Sequence, residues 1–475
     1  MNLSVPPCKD TLVRYFESRA YLLSVALLVM FGHLLGIEYY LNILVILQLS
    51  AALCLSDSPK PLIYTSSLFI FQVTLRHSPS EPYFSDYYFR GAKLVILLIL
   101  AVVLVGSIAY YLIRTRFVPD VLQGNMPMCL PLFLFSVALI IGGIGRTKYV
   151  AENLTYGLGQ AAVWFLHFGV LAVGMRRMKK EEILTALSDV AMAATWIILI
   201  QLAEIYLTTD GILNPDQWVD KNRILFGWGI SNTAGAILAF LLPVHFIGIV
   251  RTPRPALPIT TAIAGYIGIF LTQSRNAMVF GTLGLAASIV YVCFIGEHKK
   301  FFRIVTGAVF GVGLLVILFC PDIRYMLIQQ FIERGFNDAG RFRIWEQALD
   351  NFLKSPVFGR GFFGTVEVVD SDKYVEFYPH FVHNTLLQLL SSTGLVGTLS
   401  YVFVRAASAT PFLRRGTRTP EKWFLLFAVV VFLCEGLLDV FPFAIYPTFY
   451  YNFFLAAAFA LDSLSGKEAE RTNET

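Results

Sequence analysis

Two arginines occupy positions where the chain could bind a phosphate group. Arg275 lies in the segment TQSRN at 272–276, between two long apolar runs with almost no loop separating them. Ionisable groups in such a setting usually face the protein interior and serve function, and a guanidinium binds phosphate oxygens in pairs while staying charged. Arg275 is therefore predicted to bind phosphate. Arg223, just before FGWGISN, suits either a ligand site or an anchor at the membrane surface.

A histidine is the candidate general base. His383 lies at the end of HFVHN and opens an apolar run. A histidine at a membrane interface is often structural, but a neutral imidazole beside arginines could also take a proton. His380 is three residues earlier, a spacing that could ligate a metal. No carboxylate or cysteine is close enough in sequence to complete such a site, so we expect no metal.

Two carboxylates near the end of a later apolar run are accessory candidates. Glu435 and Asp439 are four residues apart, which places them on one face of a helix. They could orient His383, pair with an arginine, or only balance charge. Pairing with an arginine is the interpretation that the sequence favours.

A long hydrophilic segment, 321–383, contains a predicted amphipathic helix at 340–354. Its first turn carries Arg341 and Arg343, which suit either a site or a solvated face. Asp338 is the predicted N-cap, and Ser355-Pro356 ends the helix. The apolar stripe predicts that the helix lies along the bilayer surface or against the bundle; it consists of Phe342, Trp345, Leu349 and Phe352. The glycines of the following GRGFFG permit a tight turn, without the strand and helix that a nucleotide-binding motif needs.

The composition predicts the scaffold that positions these residues. The chain of 475 residues is 56% hydrophobic and 15% charged, with a mean hydropathy of +0.65. Repeated apolar runs cross about 30 Å of hydrocarbon as helices, and they are continuous rather than alternating, which excludes a β-barrel. We therefore expect an all-α, polytopic helical bundle of about 12 to 14 transmembrane helices with one large extracytoplasmic loop containing amphipathic helices. The six scattered cysteines are interpreted as small apolar residues.

The basic residues predict the orientation. Clusters of lysine and arginine fall between alternate spans, and the last cluster runs from Arg405 to Lys422. By the positive-inside rule, that side and both termini are cytoplasmic. The opposite side then carries the segment 208–226, the turn 272–276, the loop 321–383 and the turn near Asp439. The predicted segments are 1–207 and 208–320 (transmembrane helices, the second with the outer-face arginines), 321–383 (the extracytoplasmic loop) and 384–475 (transmembrane helices and tail).

The same motifs, in their order, resemble a known family. The set is an arginine before FGWGISN, the SRN turn, AGRFRIWEQALDNFLKSPVFGRGFFG, and HN followed by TLLQLLSSTGLVG. Over roughly 223–397 the chain resembles the O-antigen ligase and polymerase superfamily, which are membrane enzymes that transfer polyprenyl-linked glycans at the outer leaflet of the bacterial inner membrane. Each motif alone is weak, whereas the ordered set is moderately specific.

The resemblance implies a reaction. The donor would be an undecaprenyl-diphosphate-linked glycan, and the acceptor another glycan or a lipid-linked hydroxyl. Arg223 and Arg275 would hold the diphosphate, and His383 would match the essential histidine. Direct displacement implies inversion at the anomeric carbon, with no metal and no cofactor. The implied partners are the donor, the acceptor and membrane lipids, with no nucleic acid.

Other functions stay open at the sequence level. Protein O-oligosaccharyltransferases use a protein hydroxyl as acceptor, and a structural partner in an envelope assembly would need no histidine. A polysaccharide or lipid-linked glycan transporter or flippase also has this many spans, often with internal repeats and polar residues near the midplane. The halves of this chain show no repeat, and Asp189 and Glu204 are the few charged residues within its spans. An enzyme is therefore favoured over a transporter.

Overall fold

The computed structural model describes residues 7–72, 91–116, 128–147, 150–210, 212, 219–295, 299–328, 341–363, 381–414 and 419–473. Within these ranges the regular structure is helical, with a single isolated bridge between Leu225 and Ile230. In chain order the helices are α1 (Pro7–Phe16), α2 (Arg19–Leu35), α3 (Glu38–Leu55), α4 (Lys60–Leu68), α5 (Gly91–Arg114), α6 (Cys129–Ile141), α7 (Val150–Arg176), α8 (Lys180–Thr208), α9 (Ser231–Arg251), α10 (Ala256–Leu271), α11 (Arg275–Phe294), α12 (Lys299–Phe319), α13 (Pro321–Ile328), α14 (Arg341–Lys354), α15 (Thr385–Leu413), α16 (Pro420–Leu438) and α17 (Ile445–Asn473).

The predicted all-α, polytopic membrane fold is confirmed. Eight helices in the described ranges are long and apolar enough to cross a membrane, namely α3, α5, α7, α8, α9, α11, α12 and α15. The pair α1 and α2, bent by 67°, forms a ninth candidate, and α6 and α10 are shorter apolar helices. The apolar run at 61–75 begins as the nine-residue α4 and a 3₁₀ turn, Phe69–Gln72. Nine residues rise only about 14 Å, so α4 alone does not cross.

The chain forms two compact units. Unit 1 comprises Met1–Asn125 and Val173–Gly281, and unit 2 comprises Met126–Ala172 and Thr282–Thr475. The division of the chain into 1–207, 208–320, 321–383 and 384–475 follows sequence position alone and stays a prediction.

In unit 1, α9 is the central helix and packs against α8 and α10. Glycines at its contacts allow close approach, since a Cβ on Gly248 of α9 would collide with the Ser188 hydroxyl of α8. Beyond its charged first turn, α8 carries two acidic residues, and both have partners: Asp189 accepts from Arg19 at 2.6 Å, and Glu204 lies 3.3 Å from His33.

In unit 2, α15 is broken at Gly394, whose backbone is left-handed (φ 63°, ψ −156°). The half at 395–413 runs antiparallel to α6. Met128 lies against Ser408, Phe135 against Tyr401, and Gly142 against Thr393. The half at 395–413 is about 28 Å long, so it can cross a membrane on its own.

The other half of α15, 385–393, lies across the ends of two helices. Both α6 and α16 begin near 408–413, because Met128 contacts Ser408 and Lys422 bonds to the Pro411 carbonyl. At their far ends, α16 meets Asn384 and α6 meets Thr393. The segment 385–393 therefore connects the two far ends. We call this end of unit 2 the site end, because His383 lies there.

The glycine-rich turn 355–363 fills the break in α15. The amides of Arg360 and Gly361 donate to the carbonyls of Ser391 and Ser392, at 2.8 and 2.9 Å. In return, the amides of Leu395 and Val396 donate to the turn, at Pro356 and Val357. Non-helical backbone near a membrane needs partners within the protein, and the turn supplies them. The sequence-level interpretation of this segment as a tight turn is confirmed.

The sequence suggested that Arg405 lies in a loop with the last basic cluster, and this prediction is wrong. It lies within α15, and its guanidinium is 5.0, 4.3 and 4.5 Å from the ring centroids of Trp164, Tyr401 and Tyr451. All three of its side-chain nitrogens are buried, and none has a hydrogen-bond acceptor within the described ranges. The three aromatic faces stabilise the cation in place of an anion.

Candidate functional site

His383 is held in a strained conformation at the start of α15. Its φ is +53°, a left-handed value that costs a non-glycine residue about 1–2 kcal/mol. The next residue, Asn384, is the N-cap of α15 and accepts from the Leu387 amide at 3.0 Å. Such strain persists only where the surroundings fix the backbone, and it is common at functional sites.

Contacts on the preceding residue provide that constraint. The Val382 amide donates to Oε1 of Gln388 at 2.8 Å, within α15. The Val382 carbonyl accepts from Nε1 of Trp345 at 3.0 Å, across from α14. The predicted helix at 340–354 is confirmed as Arg341–Lys354, and it packs on α15 and supports the backbone next to His383.

Asp439 orients the His383 ring. The Nδ1 atom of His383 lies 3.2 Å from Oδ1 of Asp439, the residue that caps the C-terminus of α16. The same oxygen accepts from the Val440 amide at 2.8 Å, which fixes the carboxylate. The sequence favoured an arginine as the partner of this carboxylate, but in the structure Asp439 contacts His383 instead. His383 is 38% exposed and Asp439 10%, so the ring is reachable while its partner is sheltered.

The turn after Asp439 is anchored by α7. Two side chains donate to the Phe443 carbonyl, Tyr156 at 3.1 Å and Gln160 at 2.7 Å. Trp164 donates to the Pro442 carbonyl at 3.0 Å. Sequence reasoning missed these three residues. Their spacing, four residues apart along one face of an apolar helix, was the available signal.

Glu435 lies one helical turn before Asp439 and has a different environment. It is fully buried, and in the part of the chain that the structure describes neither carboxyl oxygen has a hydrogen-bond partner. Within the described ranges it neither contacts His383 nor forms an ion pair, so neither orienting the ring nor pairing with an arginine is seen for it.

Arg341 and Arg343 are in the first turn of α14, as predicted, but on different sides of it. Arg341 is half-buried and Arg343 is exposed. Two residues along a helix rotate a side chain by about 200°, so only one of the two can point toward any one site. The predicted N-cap Asp338, and His380, lie outside the described residues.

The two diphosphate-binding candidates are in unit 1. Arg223 ends a short 3₁₀ helix, Lys221–Arg223, and is half exposed. It donates to its neighbour Asp220 at 3.2 Å and to the Asp210 carbonyl at 2.5 Å. Arg275 is half-buried and is the first residue of α11.

Both arginines lie at the same end of unit 1. Arg223 comes eight positions before α9 begins at Ser231. The turn before Arg275 packs on the first turns of α9, since a Cβ on Gly235 would be 2.7 Å from Oγ1 of Thr272 and 2.8 Å from Cβ of Ser274. Only three residues separate α10 from α11, which confirms the tight turn expected from TQSRN.

Gln273, inside this turn, is a residue to which the sequence analysis assigned no role. Its φ is +58°, it is 2% exposed, and neither atom of its amide has a hydrogen-bond partner among the described residues. Strain and an unsatisfied buried amide occur together next to Arg275.

The described residues thus form one oriented histidine in unit 2 and two arginines at one end of unit 1. That the three groups meet at a single pocket stays a prediction. No group of three or more histidine, cysteine, aspartate or glutamate residues in the described ranges is arranged to hold a metal ion.

The chain matches one protein-family model. Residues 259–402 match the family described as O-antigen ligase, a stretch that includes Arg275, α14 and His383. Arg223, Glu435 and Asp439 lie outside it. No curated protein matches the chain.

Proposed function

We propose that this chain, which carries an O-antigen ligase domain at residues 259–402, transfers a glycan from a polyprenyl diphosphate to an acceptor hydroxyl. The observation that carries the proposal is the His383–Asp439 pair, which leaves one ring nitrogen available at an exposed position. The domain match at family level supports glycosyl transfer.

His383 is the general base in this proposal. Because the Asp439 carboxylate accepts a hydrogen bond from Nδ1–H, the neutral ring presents Nε2 as the atom that receives a proton. Asp439 then stabilises the imidazolium that forms, as the aspartate does in catalytic triads. General-base catalysis of this kind contributes about 10²- to 10⁴-fold.

The arginines stabilise the leaving group. The acceptor oxygen attacks the anomeric carbon, and the bond from that carbon to the phosphate oxygen breaks. Its electron pair stays on the diphosphate, and the acceptor proton goes to His383. Arg223 and Arg275 face the growing negative charge, and the N-terminus of α11 adds its partial positive charge. A single backside displacement inverts the anomeric centre, and neither a metal nor a cofactor takes part.

The accessory residues have smaller roles. Arg341, the more buried arginine of α14, is the better placed of the two for contact with an anionic substrate group. Arg343 contributes positive charge at the surface. Glu435 acts behind Asp439, without touching substrate.

The enzyme proposed here lies in the bacterial inner membrane, with both termini cytoplasmic and the site facing outward. The donor is an undecaprenyl-diphosphate-linked glycan. The acceptor decides between a ligase to a lipid core, a polymerase of repeat units, and a protein O-oligosaccharyltransferase. Nothing in the described site selects among these acceptors.

Product analysis of a deletion strain tests the proposal. A ligase predicts loss of all attached polymer, a polymerase predicts single-repeat products, and protein glycosylation predicts unmodified protein. Complementation with the wild-type gene restores the product, while His383→Ala does not. Restoration by His383→Ala would support a structural partner instead.

A transporter or flippase is the second candidate. The observation in its favour is the pair of contacts that the two acidic residues inside α8 make, Asp189 with Arg19 and Glu204 with His33. It predicts that the protein moves a lipid-linked glycan across a vesicle membrane without forming a glycosidic bond. The test uses purified protein with donor dispersed in detergent, so that no membrane has to be crossed. Formation of a glycosidic bond under these conditions would show that transport alone does not account for the function.

A further inference from the structure

We propose that α14 is an interfacial helix, seated in the lipid surface at the site end of unit 2, and that this lipid contact helps to fix the backbone at His383.

Three kinds of surface run along α14. The buried face, against α15, includes Ala348 and Asn351. A second stripe is apolar yet exposed: Phe342 is 62% exposed, Leu349 45% and Leu353 74%. At 100° per residue, these three side chains fall within about 40° of one another. The third face is charged and consists of Arg343, Glu346, Asp350 and Lys354. A helix with an exposed apolar stripe next to a charged face is typical of one lying in a membrane interface.

The position of α14 along the bundle agrees with this assignment. It packs on α15, with Trp345 at Val382 and Asn351 beside Arg360, which is bonded to Ser391. These contacts run along 385–393, the half of α15 that lies across the ends of α6 and α16. The helix is therefore at the level where the membrane-crossing helices end.

The exposed stripe continues into a membrane-crossing surface, which identifies lipid as its occupant. After Leu353 comes Val357, which is 50% exposed and whose carbonyl accepts from the Val396 amide. Next to it begins the crossing half of α15, with Leu395 43% and Leu399 65% exposed. Exposed apolar side chains thus occur from the flank of a spanning helix, at Leu399 and Leu395, through Val357 to Leu353 of α14. The lipid that covers Leu399 therefore covers Leu353 as well.

The helix is mechanically coupled to the candidate base. The Trp345 indole holds the carbonyl of Val382, the residue before His383. At the other end of α14, Oδ1 of Asn351 accepts from Arg360 at 2.9 Å in the turn that fills the break of α15. A change in the depth of α14 in the lipid is therefore transmitted to His383 through one hydrogen bond.

Lipid contact is tested by quenching. An environment-sensitive fluorescent amino acid replaces Leu353 or, as the matched control, Asp350, in full-length protein in phosphatidylethanolamine–phosphatidylglycerol vesicles. A phospholipid doxyl-labelled at acyl carbon 5 is expected to quench the probe at 353 at least threefold more than at 350, and aqueous iodide should show the opposite order. Equal quenching at the two positions by both agents overturns the lipid assignment, as does stronger iodide quenching at 353.

Coupling is tested by hydrogen–deuterium exchange in the same vesicles, a readout that does not depend on the proposed function. Leu353→Asn weakens the lipid contact, and Trp345→Phe removes the bond to Val382. Both are expected to raise exchange in the peptide covering 381–388 at least threefold, with Asp350→Asn at the wild-type level. Wild-type exchange in Leu353→Asn overturns the coupling. Equal increases in Leu353→Asn and Asp350→Asn also overturn it, because they indicate general loosening of α14.

Discussion

His383 and Asp439 are 56 residues apart in sequence and form one contact, 3.2 Å from Nδ1 to Oδ1. The histidine precedes the first turn of α15, and the aspartate caps the last turn of α16. Other contacts hold both residues in place. The hydrogen bonds on Val382 fix the backbone next to the histidine, and the Val440 amide fixes the aspartate carboxylate. The contact fixes the orientation of the ring and favours the tautomer with its proton on Nδ1.

Replacing the aspartate tests the role of its charge. Asp439→Asn keeps an oxygen to accept from Val440 but removes the negative charge that stabilises an imidazolium. We expect the rate of glycan transfer to fall about 10²-fold or more, with unchanged membrane insertion, measured with purified protein in vesicles. Glu346→Gln, an exposed carboxylate of α14, is the control and should retain the wild-type rate. A wild-type rate in Asp439→Asn would remove the pair from the mechanism.

Arg275 is expected to act through charge aimed at the diphosphate. Arg275→Ala should reduce transfer about 10²- to 10³-fold, the usual cost of removing one fixed donor to developing negative charge. Arg275→Lys keeps the charge but cannot bind two phosphate oxygens in parallel, so its transfer rate should fall between those of the wild type and Arg275→Ala. Arg254→Ala, an exposed arginine beyond the opposite end of α9, is the matched control. Equal rates in the alanine variants of Arg275 and Arg254 would contradict phosphate binding by Arg275.

The glycine turn should matter for stability. Gly359 has a φ of +65°, and a Cβ there would collide with the Ser392 and Thr393 backbone. Gly359→Ala is expected to cost at least about 2 kcal/mol, from left-handed strain plus the clash, and to lower the thermal transition of the purified protein. Gly307→Ala, in open space on α12, should leave that transition unchanged or slightly raised. Equal thermal transition temperatures for Gly359→Ala and Gly307→Ala would show that the turn does not fill the break in α15.

A chelator should leave transfer unchanged. The proposed displacement uses arginines to stabilise the leaving diphosphate, and Asp439 is already engaged by His383. Transfer rates are compared with and without EDTA, and after addition of Mg²⁺ or Mn²⁺. Strong dependence on a divalent cation would point to Glu435 and Asp439 as metal ligands and would overturn the metal-independent mechanism.

The sequence predicted what local patterns determine. The amphipathic helix was predicted at 340–354 and is Arg341–Lys354, because its apolar spacing and the Ser355-Pro356 stop are local signals. The TQSRN turn followed from two adjoining apolar runs. In both cases the physical cause lies within about 15 residues of its effect.

Contacts between residues far apart in the chain could not be predicted from the sequence. The contact of Tyr156 with Phe443 joins residues 287 apart, and no local pattern indicates which carbonyl a tyrosine reaches. The break at Gly394 depends on a turn more than 30 residues earlier in the chain. Arg405 was misplaced for the same reason, because the rings that surround its guanidinium come partly from α7 and α17.

The most direct test measures single-turnover transfer by the purified protein in vesicles, with an undecaprenyl-diphosphate-linked glycan as donor, in wild type and His383→Ala. Donor binding is measured separately in each. The account predicts that His383→Ala binds donor with wild-type affinity and forms product at least about 10²-fold more slowly. Product formation at the wild-type rate by His383→Ala would contradict the account.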